Sequence, residues 1–330
     1  MLLSLLAVVV GLAILVYSAD VFIDGAVAVA TKYHMPKMLI GALIIGVGTS
    51  APELVVSALS ALSGSPGLAL GNAYGSNIVN IMLVLGLTLL ISPITIQKQV
   101  VKSDFLWLIV VTILSVFLLL DGHLGRLDAF ILIAAMLANI TTQIISAKKS
   151  KQSLAEQTQN DDELPNPNNI KIGQSLLKLV AGLVILILSS RLIVWGAVEL
   201  AKLWGLPDLI IGLTIVAIGT SLPELVSSII AARRGEFEMA LGNVLGSNLF
   251  NTLAVVGLAA IIAPMQVSAE IISRDIVVVC AITAVLFLLC LNALRTNGKI
   301  GRLAGAFLVL CFIGYSSWLA VSALGISYAT

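Results

Sequence analysis

Along almost the whole chain, apolar stretches close to the length of a membrane crossing alternate with short clusters of charge. A hydrocarbon core about 30 Å thick needs about 20 apolar residues at 1.5 Å each. That criterion predicts ten spans: residues 2–30, 38–62, 67–91, 104–120, 127–146, 172–200, 207–232, 239–262, 273–291 and 301–323. One soluble-looking segment interrupts them. Residues 147–171 carry Lys148, Lys149 and Lys151, then Asp161, Asp162 and Glu163, then an Asn/Pro stretch. A connector is the reading that composition supports. It divides the chain into a first half, 1–146, and a second half, 172–330.

The two halves repeat each other. Gly48-Thr49-Ser50-Ala51-Pro52-Glu53 returns as Gly219-Thr220-Ser221-Leu222-Pro223-Glu224. The stretch from Gly71 to Asn80, GNAYGSNIVN, returns from Gly242 to Asn251 as GNVLGSNLFN. Both pairs share an offset of 171 residues, and so do Pro36 with Pro207 and Asp104 with Asp275. Five spans per half is an odd number, so the second half enters the membrane upside down. The expected fold is therefore an all-α integral membrane protein of about ten transmembrane helices in two inverted-topology five-helix repeats. A duplicated scaffold without a transport role is the plainer alternative; it does not explain why the best-matched residues are polar and lie mid-span.

Composition agrees with a lipid environment. The chain is 59% hydrophobic and 11% charged, whereas a soluble domain carries about 25% charged residues. A net charge of +1 offers no field for nucleic acid. Cys280, Cys290 and Cys311 all lie in apolar runs, which argues for small buried hydrophobes rather than a disulfide framework. The N-terminal run lacks a basic leader and a convincing cleavage site, and reads as a retained first span. With the N-terminus outside, fourteen of the eighteen basic residues fall on the cytoplasmic side, and Arg126, Lys202 and Arg274 fall outside. Arg191 lies near the outer end of its span, where it can snorkel. The positive-inside rule then places both termini outside a cell (inner) membrane crossed many times.

Of the seventeen acidic residues, only Glu53 and Glu224 fall near the middle of a predicted span. Asp20, Asp24 and Glu199 sit toward span ends, where solvation is the simpler reading. A mid-membrane charge costs a few kcal/mol even on lenient scales. No lysine or arginine lies at that depth, so protons or cations must neutralise the pair. Pro52 and Pro223 have no N–H to offer the carbonyls of Gly48 and Gly219, so each helix is expected to break and expose backbone oxygens. Asn72, Ser76 and Asn80 share one helix face at a spacing of four, and Asn243, Ser247 and Asn251 repeat it. Gly71/Gly75 and Gly242/Gly246 read as close-approach pairs. Interhelical glue is the plainer role for Asn72, Asn77, Asn243 and Asn248. Thr49, Ser50, Thr220 and Ser221 add hydroxyls. Every donor is an oxygen, with no Cys or His among them, which points away from zinc and copper and toward a hard cation such as Ca²⁺.

At these motifs the sequence resembles the sodium/calcium exchanger family of prokaryotic type, within the cation/calcium antiporters. Two copies of GTS-x-PE, each followed by GN-x-x-GSN, look like that family's paired alpha-repeats. The resemblance implies ten helices around four ion sites, three for Na⁺ and one for Ca²⁺. It carries over Thr49, Ser50, Glu53, Ser76 and Asn80 from one repeat, and Thr220, Ser221, Glu224, Ser247 and Asn251 from the other. Gly46 and Ala217 would add backbone carbonyls. The first and sixth helices would slide as a bundle to switch access. The implied activity is electrogenic exchange of three Na⁺ for one Ca²⁺ by a functional monomer in the bilayer, with no enzyme activity and no cofactor beyond the transported ions. Some family members carry Asp where Asn80 or Asn251 stands, so this site has two formal negative charges only. Residues 147–171 are too short for a regulatory Ca²⁺-sensing domain. Ca²⁺/H⁺ exchange on the same fold is the close rival. A cation channel usually builds its filter from several subunits, and an intramembrane enzyme would need a nucleophile or metal-bound water that no motif here supplies.

Overall fold

The computed structural model describes residues 1–96, 98–157, 171–205, 215, 217–296 and 298–323. The chain is mostly helical. The helices are α1 Leu2–Tyr33, α2 Lys37–Thr49, α3 Ala51–Leu62, α4 Pro66–Ile91, α5 Lys98–Leu119 and α6 Arg126–Gln157. After the connector come α7 Ile172–Leu203, α8 Ala217–Thr220, α9 Leu222–Arg233, α10 Phe237–Ile262, α11 Ile271–Arg295 and α12 Arg302–Ala323. Seven of them (α1, α4, α6, α7, α10, α11 and α12) are long and apolar enough to cross a membrane, and the bent pair α2–α3 makes an eighth. The apolar part of α5, Asp104–Leu119, is shorter. Much of the expected span 207–232 lies outside the described residues.

The expected span 127–146 matches the apolar stretch Arg126–Ser146 of α6, and the helix itself runs on to Gln157. The segment holds Ala, Lys, Gln, Leu and Glu, all good helix formers, and meets no proline before Pro165. One expectation needs correction: the fold is not purely helical. Strands β1 Ile94–Thr95 and β4 Lys299–Ile300 pair antiparallel, and so do β2 His123–Leu124 and β3 Met265–Gln266. Each pair joins a loop of the first half to a loop of the second. Gly242 and Gly246 let α10 meet α2 backbone to backbone, as expected, while the matching approach at Gly71 and Gly75 falls outside the described residues. By the repeat offset, the segment that would face them is around 209–217, almost all of it outside the described residues.

Burial sorts the helices into centre and periphery. Over their most apolar stretches, α10 is 83% buried and α4 72%, against 11% for α12. α1 and α7 pack mainly on each other along their length. A Cβ on Gly11 would meet Ile193, one on Gly25 Leu179, one on Gly182 Phe22, and one on Gly196 Ser4 and Val8. Partner numbers fall as residue numbers rise, so the two helices run antiparallel although they are repeat counterparts. Gly11 and Gly182, and Gly25 and Gly196, are themselves 171 apart. Their outer faces expose Leu5, Val9, Val16, Val180 and Leu188, as a lipid-facing surface requires.

Candidate functional site

The central site is built where α2 gives way to α3, and α8 to α9. Ser50 adopts φ −82°, ψ 7°, and Ser221 φ −90°, ψ 8°. Both sit outside helical geometry in the sparsely populated bridge region. Pro52 and Pro223 follow at the first turn of the new helix, where a missing N–H is tolerated. The α2–α3 axis bends by 43°. Each break places a glutamate in the first turn of a twelve-residue helix, where the aligned backbone dipole favours negative charge.

Glu53 and Glu224 are both 0% exposed. Each accepts a serine hydroxyl from the opposite half. Ser50 Oγ donates to Glu224 Oε1 at 2.9 Å, and Ser221 Oγ donates to Glu53 Oε1 at 3.4 Å. Ser76 Oγ also donates to Glu53 Oε1, at 3.5 Å. Oε2 of each glutamate has no hydrogen-bond partner among the described residues. The helices around them hold no lysine or arginine from 38 to 97, from 203 to 232, or from 235 to 273.

The remaining site residues largely follow the same exchange of halves. Thr49 Oγ1 donates to Asn243 Oδ1 at 3.1 Å. Ser247 Oγ donates to the Gly46 carbonyl at 3.1 Å. That contact exists because α2 and α10 cross at glycines: a Cβ on Gly46 would stand 2.9 Å from the Ser247 nitrogen. Asn80 and Asn251 are fully buried, and neither amide atom of either residue has a partner among the described residues. Each begins a π-helical turn, Asn80–Leu85 and Asn251–Val255, a local widening that recurs at functional sites. Thr220 closes α8 and Ala217 opens it. Among the described residues no group of three or more His, Cys, Asp or Glu gathers anywhere, so an ion bound beside the two carboxylates would rely otherwise on hydroxyl, amide and carbonyl oxygens.

The asparagines expected as glue divide. Asn72 Nδ2 donates to the Glu53 carbonyl and to Ser57 Oγ, at 3.1 and 2.9 Å. Asn243 Nδ2 does the same with the Glu224 carbonyl and Ser228 Oγ, at 3.1 and 2.8 Å. These bonds brace the two glutamate turns from behind. Sequence reasoning missed Ser57 and Ser228, although both obey the offset of 171. It also missed Ser190, whose hydroxyl donates to the Gly219 carbonyl at 2.8 Å. The expected exposed oxygen at Gly219 is thus already engaged. Ala19 stands at the counterpart of Ser190, so the first half has no such hydroxyl. Away from the centre, Asp20 and Asp24 are paired rather than merely solvated. Arg234 reaches Asp20 at 2.5 Å and Asp24 at 3.6 Å, and Lys178 reaches Asp24 at 2.5 Å.

Comparison with known proteins identifies the family. Residues 3–145 and 174–321 match the sodium/calcium exchanger protein family. The putative antiporter CaxA of Alkalimonas amylolytica is 42% identical over 96% of this chain and 98% of its own. The inner membrane protein YrbG of Escherichia coli strain K12 is 35% identical over 97% of both chains. The sodium/calcium exchanger MaX1 of Methanosarcina acetivorans is 27% identical over 94% of this chain and 97% of its own. Among solved structures, the sodium-calcium exchanger NCX_Mj soaked with 10 mM Na⁺ superposes with a TM-score of 0.79 at 30% identity, covering 94% of this chain and 97% of that one. The chain belongs to the sodium/calcium exchanger protein family, a family of membrane transporters rather than enzymes.

Proposed function

We propose that this cation/calcium antiporter exchanges Na⁺ for Ca²⁺ by alternating access at the Glu53–Glu224 site, with three Na⁺ moving against one Ca²⁺. The observation that carries the reading is the pair of wholly buried glutamates, each hydrogen-bonded at one oxygen by a serine of the opposite half. Each has its second oxygen unpaired among the described residues, and the stretches 38–97, 203–232 and 235–273 around them hold no lysine or arginine. Two carboxylates match the charge of one Ca²⁺, which takes six to eight oxygens in flexible geometry. Thr49, Ser50, Ser76, Asn80, Thr220, Ser221, Ser247, Asn251 and the carbonyls of Gly46 and Ala217 complete the ligand set.

Ten transmembrane helices in two inverted repeats, 1–146 and 172–330, suit this function. A site drawn equally from both halves lies at the repeat interface, where secondary transporters bind their substrates. The antiparallel course of α1 and α7 supports the inversion. Because one chain supplies every ligand, a monomer in the lipid bilayer is the working unit.

The deciding experiment is ⁴⁵Ca²⁺ uptake into proteoliposomes under imposed Na⁺, H⁺ or K⁺ gradients. Uptake that requires internal Na⁺ and saturates with external Ca²⁺ is expected. Uptake driven equally well by protons alone assigns the chain to Ca²⁺/H⁺ exchange instead. Non-saturating flux without any counter-ion assigns it to a channel.

A further inference from the structure

Two adjacent serines of α7 use their hydroxyls differently. Ser189 donates to the Leu186 carbonyl of its own helix at 3.0 Å, and its repeat counterpart Ser18 donates to the Leu15 carbonyl, also at 3.0 Å. Bonding the helix's own backbone is the ordinary use of a serine inside an apolar helix. Ser190 is equally buried, yet its hydroxyl leaves the helix and donates to the Gly219 carbonyl at 2.8 Å. Its counterpart in the first half is Ala19, which has no hydroxyl to offer.

The carbonyl that Ser190 reaches is the one that Pro223 deprives of a helical N–H. α7 lies tight against that point, since a Cβ on Gly219 would collide with the Val194 side chain. α7 also touches the break of the first half, but through an apolar contact: Leu183 stands 3.0 Å from where a Cβ would sit on Gly48.

A carbonyl shares a rigid plane with the next residue's nitrogen and Cα. Holding the Gly219 carbonyl toward α7 thus fixes the Gly219–Thr220 peptide and the direction in which Thr220 and Ser221 follow. Ser221 depends on that direction twice. Its backbone sits in the bridge region at φ −90°, ψ 8°, a conformation that persists where the surroundings hold it. Its hydroxyl reaches Glu53 at 3.4 Å, near the limit of a hydrogen bond, so a small rotation of the break would lose the contact.

We infer that Ser190 is a positioning residue for the exchange site: through the Gly219 carbonyl it holds the second break in the orientation that aims Ser221 at Glu53. It stands outside the ion ligands and acts through them. The inference rests on the proposed exchange reaction and adds to its site a residue from α7, a helix that supplies none of the proposed ligands.

The experiment compares wild type, Ser190→Ala, Ser189→Ala, Ser221→Ala and the double variant Ser190→Ala with Ser221→Ala. The readouts are Na⁺-driven ⁴⁵Ca²⁺ uptake in proteoliposomes and the Ca²⁺ concentration that half-maximally protects against thermal unfolding in detergent. Ser190→Ala and Ser189→Ala each remove one buried hydrogen bond, so both should unfold at a somewhat lower temperature. Only Ser190→Ala should raise the half-saturating Ca²⁺ concentration, by about fivefold, with the maximal rate held within about twofold. The double variant should match Ser221→Ala, because the path from Ser190 to Glu53 is already cut there. An unchanged half-saturation in folded, active Ser190→Ala overturns the inference, and so does an equal rise in Ser189→Ala. Full addition of the two shifts in the double variant overturns it too, since Ser190 would then not act through Ser221. If Ser190→Ala fails to fold, Ser190→Cys, nearly the same size but a weak donor, takes its place in every comparison. A wild type without Na⁺-dependent Ca²⁺ flux overturns the exchange reading, and this inference with it.

Discussion

Each site glutamate depends on the half of the chain that it does not belong to. Ser50 holds Glu224 and Ser221 holds Glu53. Replacing either glutamate by glutamine leaves Ca²⁺ facing a single carboxylate, while the neutral amide is cheaper to bury than the charge it replaces. Glu53→Gln and Glu224→Gln are expected to fold normally and to lose nearly all Ca²⁺ uptake, measured as ⁴⁵Ca²⁺ flux beside a thermal-unfolding trace. Near-normal flux in either would remove that residue from the site. The serines should have a milder effect that crosses between halves. A hydrogen bond to a charged group is worth about 1.5–3 kcal/mol, so Ser50→Ala and Ser221→Ala should each raise the half-saturating Ca²⁺ concentration about tenfold or more. Their effects should be non-additive with the glutamine substitution in the opposite half. At this scale much was legible in the sequence, because a duplicated carboxylate in an apolar run has no structural use that would offset its cost. The bracing serines Ser57 and Ser228 were not singled out, since a serine in a membrane helix commonly bonds its own backbone.

Glycines set how closely the helices that carry the site approach. A Cβ on Gly246 would lie 2.5 Å from the Ala42 Cα and closer still to the Ala42 carbonyl oxygen. Gly246→Ala must therefore push α10 off α2 and pull Ser247 away from the Gly46 carbonyl. Overpacking of this kind costs about 1–3 kcal/mol, so the variant should unfold at lower temperature in detergent and transport poorly. Gly67→Ala is the matched control. No described atom lies within 4 Å of where its Cβ would stand, and alanine is the better helix former, so stability should hold or rise slightly. Equal behaviour of the two variants would mean that the α2–α10 crossing does not position the site. Helix existence was readable from apolar run length alone, and the break at each proline from the missing N–H. What escaped was set by tertiary structure. Strands of two residues are too short to show an alternating pattern, the extension of α6 to Gln157 carries no apolar period, and the π-helical turns at Asn80 and Asn251 resemble ordinary helix in sequence. The pairing of Asp20 with Arg234 joins residues 214 positions apart, which no local reading can find.

The proposed inverted repeat ties orientation and charge movement together. The expected spans put fourteen of the eighteen basic residues on one side, so both termini should be extracytoplasmic and the connector cytoplasmic. Ser153→Cys, in a background without Cys280, Cys290 and Cys311, should resist an impermeant thiol reagent added outside intact cells and react once the membrane is opened. Labelling from outside would reverse the orientation. The charge prediction follows from the site itself. With one Ca²⁺ the two glutamates form a neutral complex, and with three Na⁺ they carry a net charge of +1, which hydroxyl and amide oxygens can solvate. Asn80 and Asn251 add no further negative charge. Each cycle of three Na⁺ against one Ca²⁺ then moves one net positive charge in the Na⁺ direction. A potential of 100 mV biases that step by about 2.3 kcal/mol. An inside-positive potential should accelerate Ca²⁺ uptake into Na⁺-loaded vesicles, because it drives the net charge outward with Na⁺, and an inside-negative one should slow it. Measuring the potential at which flux reverses, at fixed Na⁺ and Ca²⁺ gradients, reads the stoichiometry directly. A reversal point that ignores voltage would mean two Na⁺ per Ca²⁺, a cycle in which the two glutamates stay electrically balanced in both loaded states.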